Sequence, residues 1–566
     1  MNLIKNYLCK KIPFVNRSLK ILRLFIFLIL VGLPFFALIK PYFHSGVPYT
    51  HDGENHLARF ANYKVALKEG QFPPRFAPNL NNHYGYPVFN YNYPLANILS
   101  VPMSAVGISY EITFKLLMIT ALVIGAFGVS AWLKALNFKN RSIRFLSIAS
   151  LLLAPFTVNL VYVRGSIGEI WALALFPWLL WLSHEIKEKK KVSWLASITI
   201  LTSFLLAHNV SVLFGGIVWG IYTLIIFQKE KSAWKLLLQR GSISLGMSLW
   251  FWLPAMMEKN QIILDNSGLS NQFSNHFVGL LQLITAPLKF GYSYTSPVDT
   301  ISMAVGLSGF IALILGTVIL LKRKVVVLKS KQAWVLLILS WIMFIFQTQI
   351  TGNIWRIIPL VQFIQFPWRL SLYFTILILP VLAMVMNYHS SFKKILTAVL
   401  IMQLIAVMRF SPADYFHRNT IDYDLFTQST STANENLPKT FTYKNIADWA
   451  PEPSVLQGQA SISVTSWTGS KRAYSVDASE QTLLVEPTMY FLGWETLANH
   501  SEVIYADMKE TDGRIGYWLE PGEYEIVSQF TQKTWPRLVG NSISVISAAI
   551  ASWFIVHEIA KFKIKK

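Results

Sequence analysis

"KALNFKNRSIR", residues 134–144, sets four basic residues and no acidic one between two long apolar runs. Its reading depends on what those runs are. The chain has 566 residues, 53% of them hydrophobic and only 14% charged, and its mean hydropathy is +0.42. A soluble chain of this length carries far more charge. The apolar runs recur at lengths near twenty residues, enough to cross a hydrocarbon core of roughly 30 Å. The chain therefore reads as a polytopic membrane protein, and short basic loops between spans stay on the cytoplasmic side. Residues 134–144 are then inside, and every other span is oriented from them.

Working toward the N-terminus, Lys5, Lys10, Lys11, Arg17, Lys20 and Arg23 place residues 1–23 inside, so residues 24–40 leave the cytoplasm. A cleaved signal peptide is the rival reading, but "FFALIKPYF" lacks a small-x-small cleavage site, which favours a retained anchor. Residues 41–93 are then outside, and one crossing at 112–133 returns to the basic loop. That leaves "PLANILSVPMSAVGIS" (94–109) as a short interfacial or re-entrant helix. Toward the C-terminus, "HEIKEKKK", "QKEKSAWK", "KRKVVVLKSK", "HSSFKK" and the terminal "KFKIKK" all fall inside. Spans are expected near 145–163, 170–186, 193–209, 210–228, 236–256, 299–321, 333–349, 369–388, 393–409 and 537–560, about twelve in all, with both termini cytoplasmic.

Besides 41–93, the outside segments are 257–298, 350–368 and 410–536. The last is polar, and "ASISVTSW", "QTLLVE" and "GEYEIVSQF" alternate with period two between the turn signals "DGR" and "EPGEY". That pattern predicts strands. The expected fold is an all-α polytopic membrane domain (1–409), a small extracytoplasmic β-sandwich-like domain (410–536), and a last span with a basic tail (537–566). The net charge of +21 belongs to the loops and gives no reason to expect nucleic acid as a partner. The single cysteine, Cys9, excludes a disulfide framework and a cysteine metal cluster.

The ionisable residues of the greasy chain gather on the outside. "PYTHDGENHLARF" (48–60) holds His51, Asp52, Glu54, His56 and Arg59. Residues 54–69 read as an amphipathic helix with Leu57, Phe60, Ala61, Val65 and Leu67 near one face and Gly70 as its stop. One reading makes Asp52 an N-cap and Glu54 a helix-dipole partner. Against it, Ser or Thr caps equally well, and two carboxylates beside two histidines exceed what capping needs. Asp-x-Glu can supply oxygen ligands to a divalent cation, or a base beside an orienting partner.

"VYVRGSIGEIWALALFPW" (161–178) places Arg164 and Glu169 in an otherwise apolar stretch. Charges at membrane depth are costly and mark either function or a pair. A local Arg164–Glu169 bridge stapling the turn is one reading. The other has this loop facing the first, so that Asp52 and Glu169 become facing carboxylates. "LLAHNVSV" puts His208 and Asn209 at an outer turn, as interfacial hydrogen-bonding residues or as ligands. "GNIWRIIPLVQFIQFPWRLSL" (352–372) reads as an interfacial helix running into a span. Its Arg356 and Arg369 can fork onto phosphate, or snorkel beside the belt residues Trp355 and Trp368. "FWLPAMMEKNQIIL" ends a span at Glu258 and Lys259 and opens an outer loop containing His276. There is no Walker loop, GxGxxG, HExxH or GxSxG, and no pair of broken helices with carboxylates in mid-span. The pattern suits an enzyme working at the outer leaflet on a lipid-linked substrate.

These residues carry a resemblance. A first span followed by a large outer loop opening on "THDGENH", a second loop with Arg164 five residues before Glu169, and the "YPLANIL" helix together resemble the GT-C superfamily of polyprenyl-phosphate-sugar glycosyltransferases. "RGSIGEIWA", "FWLPAMME", "FPWRL" and "MYFLGW…EPGEYEI" look like patches of the bacterial YfhO-like, 6-pyruvoyl-tetrahydropterin synthase-related group of membrane proteins. "FLGW" departs from the Pro-Gly-Trp form expected there, and nothing resembles a soluble pterin enzyme.

The resemblance implies Asp52 as general base in an inverting transfer, with Glu54 and Glu169 orienting the acceptor or holding a divalent cation (Mg or Mn), and His56 assisting. It implies Arg164, Arg356 or Arg369 against the leaving polyprenyl phosphate. The partners implied are a polyprenyl-phosphate sugar donor, a cell-envelope polymer, lipid or protein acceptor, and membrane lipids, in a bacterial cell membrane with the active site outside. A lipid-linked glycan flippase and a non-catalytic envelope-assembly protein are the competing classes.

Overall fold

The computed structural model describes residues 32–188, 192–266, 269–294, 300–301, 303–322, 330–431, 433–442 and 449–564. Cys9, the basic N-terminal segment, residues 24–31 of the first expected span and the last two residues of the tail lie outside them.

Among the described residues, six helices are long and apolar enough to cross a membrane: Tyr110–Ala135, Ile167–Lys187, Asn209–Phe227, Pro367–Tyr388, Ser390–Arg409 and Trp535–Lys561. The count is eight if two bent pairs are each one span: Arg141–Leu152 with Pro155–Arg164 (46°), and Lys331–Ile345 with Gln349–Ile357 (93°). At the other expected crossings stand Leu33–Phe43, Trp194–Ala207 and Leu307–Leu321, which are shorter, and Lys231–Met257, which is long but more polar. Residues 94–109 contain a short apolar helix, Leu95–Ala105. Residues 352–370 form three short helical pieces rather than one interfacial helix.

The break at residues 153–154 has a local cause. Pro155 lacks an N–H, which would orphan the carbonyl four residues back, that of Leu151. Thr157 Oγ1 donates to that carbonyl instead, at 2.7 Å, the kind of local repair that lets a proline stand within a span. Beyond the break the chain reaches Arg164 and turns at Gly165 into Ile167–Lys187. This helix and Ser371–Tyr388 are buried along almost their whole length and form the centre of the bundle. Small residues bring helices close, as small interfaces do in membranes. A Cβ on Gly125 would stand 3.2 Å from Ala174 Cα, and one on Gly540 would stand 2.6 Å from the Leu249 carbonyl oxygen.

The β region uses the expected strands. A five-stranded antiparallel sheet has the order β2 (Ala460–Trp467), β3 (Lys471–Ala478), β8 (Gly522–Phe530), β5 (Trp494–Ala498), β6 (Ser501–Glu502). A three-stranded sheet has the order β1 (Ser454–Gln457), β4 (Thr482–Met489), β7 (Arg514–Leu519). Tyr474, Val476 and Ile526 of the first sheet pack on Leu484, Tyr517 and Leu519 of the second. The alternation in "KRAYSVDA" sends every second side chain to that shared core.

A buried polar network ties this region to the helices. Glu258 accepts from Asn90 Nδ2 (2.9 Å), Thr534 Oγ1 (2.6 Å) and Arg537 Nη2 (2.9 Å). Arg75 reaches the Trp250 carbonyl (2.5 Å) and Gln532 Oε1 (3.2 Å). The network joins residues 71–93, the end of Lys231–Met257 and the entry to the last helix. Glu258→Ala leaves Arg537 buried without its counter-charge, which costs on the order of 3–5 kcal/mol. The expected outcome is a clearly lower unfolding midpoint for the purified variant in detergent; an unchanged midpoint would contradict the network's role.

Candidate functional site

The site starts from two backbone hydrogen bonds. His51 N–H donates to Val163 O and Asp52 N–H to Arg164 O, each at 2.9 Å, so "THDGENH" and "VYVRGSIGE" lie side by side. Their approach requires glycine. Gly165 has φ +62°, and a Cβ there would stand 2.1 Å from Thr50 Oγ1, a conformation and a clearance that only glycine meets without strain.

This contact decides the role of Asp52. Asp52 occupies the N-cap position of helix Gly53–Lys68, yet its side chain makes no capping bond. Thr50 Oγ1 takes the Gly53 N–H (3.0 Å), which frees the carboxylate to pair with Arg164 Nη2 at 3.0 Å. The local Arg164–Glu169 staple does not form. Glu169, 1% exposed, pairs instead with Arg369 Nε at 2.9 Å. Two ion pairs thus stand at one place, built from three segments. Arg369 is held further by the Ile364 carbonyl and Gln365 Oε1, both at 2.9 Å. Arg164 lies over the rings of Phe366 and Trp368, which ties both arginines to "FPWRL".

Histidines and a tyrosine close the cluster. His208 Nδ1 accepts the Ser211 N–H (3.2 Å), so in the neutral ring the proton sits on Nε2, which faces Glu169 Oε1 at 3.9 Å. Tyr93 packs edge-on against His208 (4.8 Å between ring centres) and reaches His56 Nε2 with its hydroxyl (3.5 Å). Gly168 leaves room for that tyrosine, since a Cβ there would stand 2.4 Å from its ring. His51 stacks on Tyr292 at 4.9 Å. Four polar atoms here are buried with no hydrogen-bond partner: Arg164 Nε, Glu169 Oε2, His51 Nε2 and Asn209 Oδ1. Such orphans in a native cluster are donors and acceptors that a polar group of a substrate could meet.

The other expected residues separate from this group. Glu54 turns to Arg418 Nε (2.6 Å), so the Asp52–Glu54 pair does not converge on one point. Arg356 is exposed and donates to Asn353 Oδ1 (3.1 Å), away from the cluster. Arg59 is buried, but its donors go to Thr430 Oγ1 and O (3.2 and 2.6 Å), so it contributes charge rather than a free fork. Asn209, which follows His208, stays beside the cluster, its Nδ2 donating to the Tyr91 carbonyl (2.8 Å). Helix Gly53–Lys68, which carries Glu54 and Arg59, is not amphipathic in place: His56, Arg59 and Asn62 are buried along with Leu57 and Phe60. Sequence reading missed Thr50 and Tyr93. Tyr93 had one signal, its position just before "PLANIL".

The electrostatics follow from this packing. Partial burial would raise the Asp52 carboxyl, but the charge of Arg164, with Arg59 behind it, outweighs it and holds the group below the usual carboxylate range. Burial, with Arg59 behind it, pushes His56 down to about 3; burial, with Arg164, pushes His51 down to about 4. Both imidazoles are therefore neutral near pH 7. As pH falls below 6.5, the unfolded chain takes up protons at these two positions and the folded chain does not, so stability falls with pH. The melting temperature in detergent is expected to drop between pH 6.5 and pH 4, with a shallower slope for His56→Asn. A slope in His56→Asn equal to that of the parent would contradict the burial of a neutral His56.

Residues 89–415 match a family described as 6-pyruvoyl-tetrahydropterin synthase related domain, membrane protein. No curated protein matches. Among solved structures, similarity is found to the arabinofuranosyltransferase AftD from Mycobacteria, at 14% identity and a TM-score of 0.44, over 68% of this chain and 26% of that one. A mutant of the same protein gives 15% identity and a TM-score of 0.43, over 68% of this chain and 28% of that one. The chain thus spans little more than a quarter of those structures, and neither likeness bears on what it does. The family match runs from the entry to Leu95–Ala105 through both ion-paired arginines to the start of the β region: this chain belongs to the 6-pyruvoyl-tetrahydropterin synthase related family of membrane proteins.

Proposed function

We propose that the protein is a membrane glycosyltransferase that moves a sugar from a polyprenyl-phosphate carrier to a cell-envelope acceptor outside the cytoplasm, with inversion at the anomeric carbon. The observation that carries this reading is the double ion pair with its orphaned atoms. A charged, partly unsatisfied cluster at the membrane rim is what a phosphate leaving group and a hydroxyl nucleophile require together.

Of the two carboxylates, Asp52 is the reachable one: its side chain is 34% exposed, against 1% for Glu169. In the proposed reaction the acceptor hydroxyl oxygen bonds to the anomeric carbon as the bond from that carbon to the phosphate oxygen breaks. The hydroxyl proton passes to Asp52. The electron pair of the broken bond stays on the phosphate, where the positive charge of Arg164 and Arg369 stabilises the negative charge that develops. Glu169 acts through Arg369, fixing its guanidinium, and is a positioning residue in this reading rather than a base. His56, His208 and Tyr93 line the cluster as neutral groups able to orient a sugar hydroxyl.

A divalent cation finds a poor donor set here. Asp52 and Glu54 are each paired with an arginine, and among the described residues no group of three or more His, Cys, Asp or Glu side chains converges. No step is routed through one. The orientation belongs to the same proposal: twelve crossings, both termini cytoplasmic, and the β region outside as a sandwich standing beside the site.

Asp52→Asn tests the reading. Loss of a general base lowers transfer by about 10²–10⁴-fold, so envelope glycans in cells carrying the variant should lack the modification while polyprenyl-phosphate sugar accumulates on the outer leaflet. Unchanged glycans at equal protein level would overturn the assignment. Donor accumulating on the cytoplasmic leaflet instead would favour a flippase.

A further inference from the structure

A second feature lies at the other end of the bundle. The pair Arg141–Leu152 and Pro155–Arg164 carries the chain from the basic loop to the charge cluster, about 30 Å of helix from Arg144 to Arg164 at 1.5 Å per residue. At its Arg144 end is a groove of about 490 Å³ lined by Ile124, Phe127, Ser130, Ala131, Lys134, Arg144 and Trp178. Its floor is built. Trp178 Nε1 donates to the Ile124 carbonyl (2.9 Å), which lays the indole along helix Tyr110–Ala135. Gly128 permits this, since a Cβ there would stand 2.8 Å from the ring.

The groove is apolar along its length and cationic at one end. Phe127 is 64% exposed beside it. Lys134 and Arg144 close it, and among the described residues neither pairs with an acid. Arg144 Nε is buried without a hydrogen-bond partner, so this end has a donor with nothing to receive it. Arg144 also stands in the first turn of Arg141–Leu152, where the helix dipole adds positive potential. Residues 134–144 carry four cations and no acid. A snorkelling lysine alone would need neither a groove nor a buried guanidinium nitrogen.

We propose that this groove binds an anionic phospholipid, with its acyl chain along Ile124, Phe127, Ala131 and Trp178 and its phosphate between Lys134 and Arg144. Charge complementarity and the apolar track select a lipid over a soluble anion. The site is separate from the charge cluster around Asp52 and does not depend on the function proposed for it.

The test uses the full chain in detergent, with phosphatidylglycerol, phosphatidylcholine and inorganic phosphate as probes, read by native mass spectrometry and by melting temperature. Phosphatidylglycerol is expected to stay bound to the parent and raise its melting temperature, with phosphatidylcholine and phosphate giving neither effect. The Lys134→Gln/Arg144→Gln double variant is expected to retain phosphatidylglycerol at least tenfold more weakly, as loss of two charges near a headgroup implies. The charge-conserving Lys134→Arg/Arg144→Lys variant should keep it, which separates charge loss from misfolding. Equal retention of both lipids by the parent, undiminished retention by the Gln variant, loss in the charge-conserving variant, or an equal shift by phosphate alone would each overturn the proposal.

Discussion

Glu169 is a carboxylate with almost no solvent contact, at the start of a central helix. A charge there is tolerable only with a cation in direct contact, because the desolvation penalty of an isolated buried ion is several kcal/mol at least. Arg369 supplies that cation at 2.9 Å from 200 residues away in the chain. Arg369 in turn is fixed by the short turns that precede the second central helix. The two most buried helices of the bundle are therefore tied together near their starts by one ion pair. The rest of the site is arranged around it.

Against that pair, the second one is built by a different device. Asp52 and Arg164 are brought together by backbone, through paired hydrogen bonds between two loops whose approach glycine permits. Thr50 takes the capping role that Asp52's position suggests, and this substitution of one cap for another is what leaves the Asp52 carboxylate to pair with Arg164. The arginines stand over aromatic rings of a common segment, so displacing one guanidinium disturbs the surroundings of the other. Mutual support of this kind holds a polar site rigid in an apolar setting.

How much of this could be read from sequence differs by element. Helices stand at the positions where apolar runs recur, because a span must satisfy its backbone internally and so writes its length into composition. Strands fall on "ASISVTSW" and "GEYEIVSQF"; in the second, buried and more exposed side chains alternate toward its end, whereas the first is exposed or half-buried throughout. Asp52, Arg164, Glu169, His208 and Arg369 were legible as charges in the wrong solvent. Their pairing is less so: "R-x-x-x-x-E" allows a local bridge or a loop that faces the first, and the structure has the second, with Arg164 turned to Asp52 at Gly165 and Glu169 left to Arg369. Tyr93 and Thr50 are ordinary residues in sequence and matter only through contacts of long range. The burial of His56 and Arg59 was likewise hidden, since a polar helix face reads as solvated until a distant segment such as Thr430 covers it.

In the proposed reaction the paired arginines hold the phosphate beside a reachable Asp52. A structure of the protein with bound polyprenyl phosphate tests this. The expected result is the phosphate within hydrogen-bonding distance of Arg164 or Arg369, with the Arg164 Nε donor now satisfied and Asp52 facing the same space. A phosphate held elsewhere, with both ion pairs unchanged and Arg164 Nε still without a partner, would contradict it.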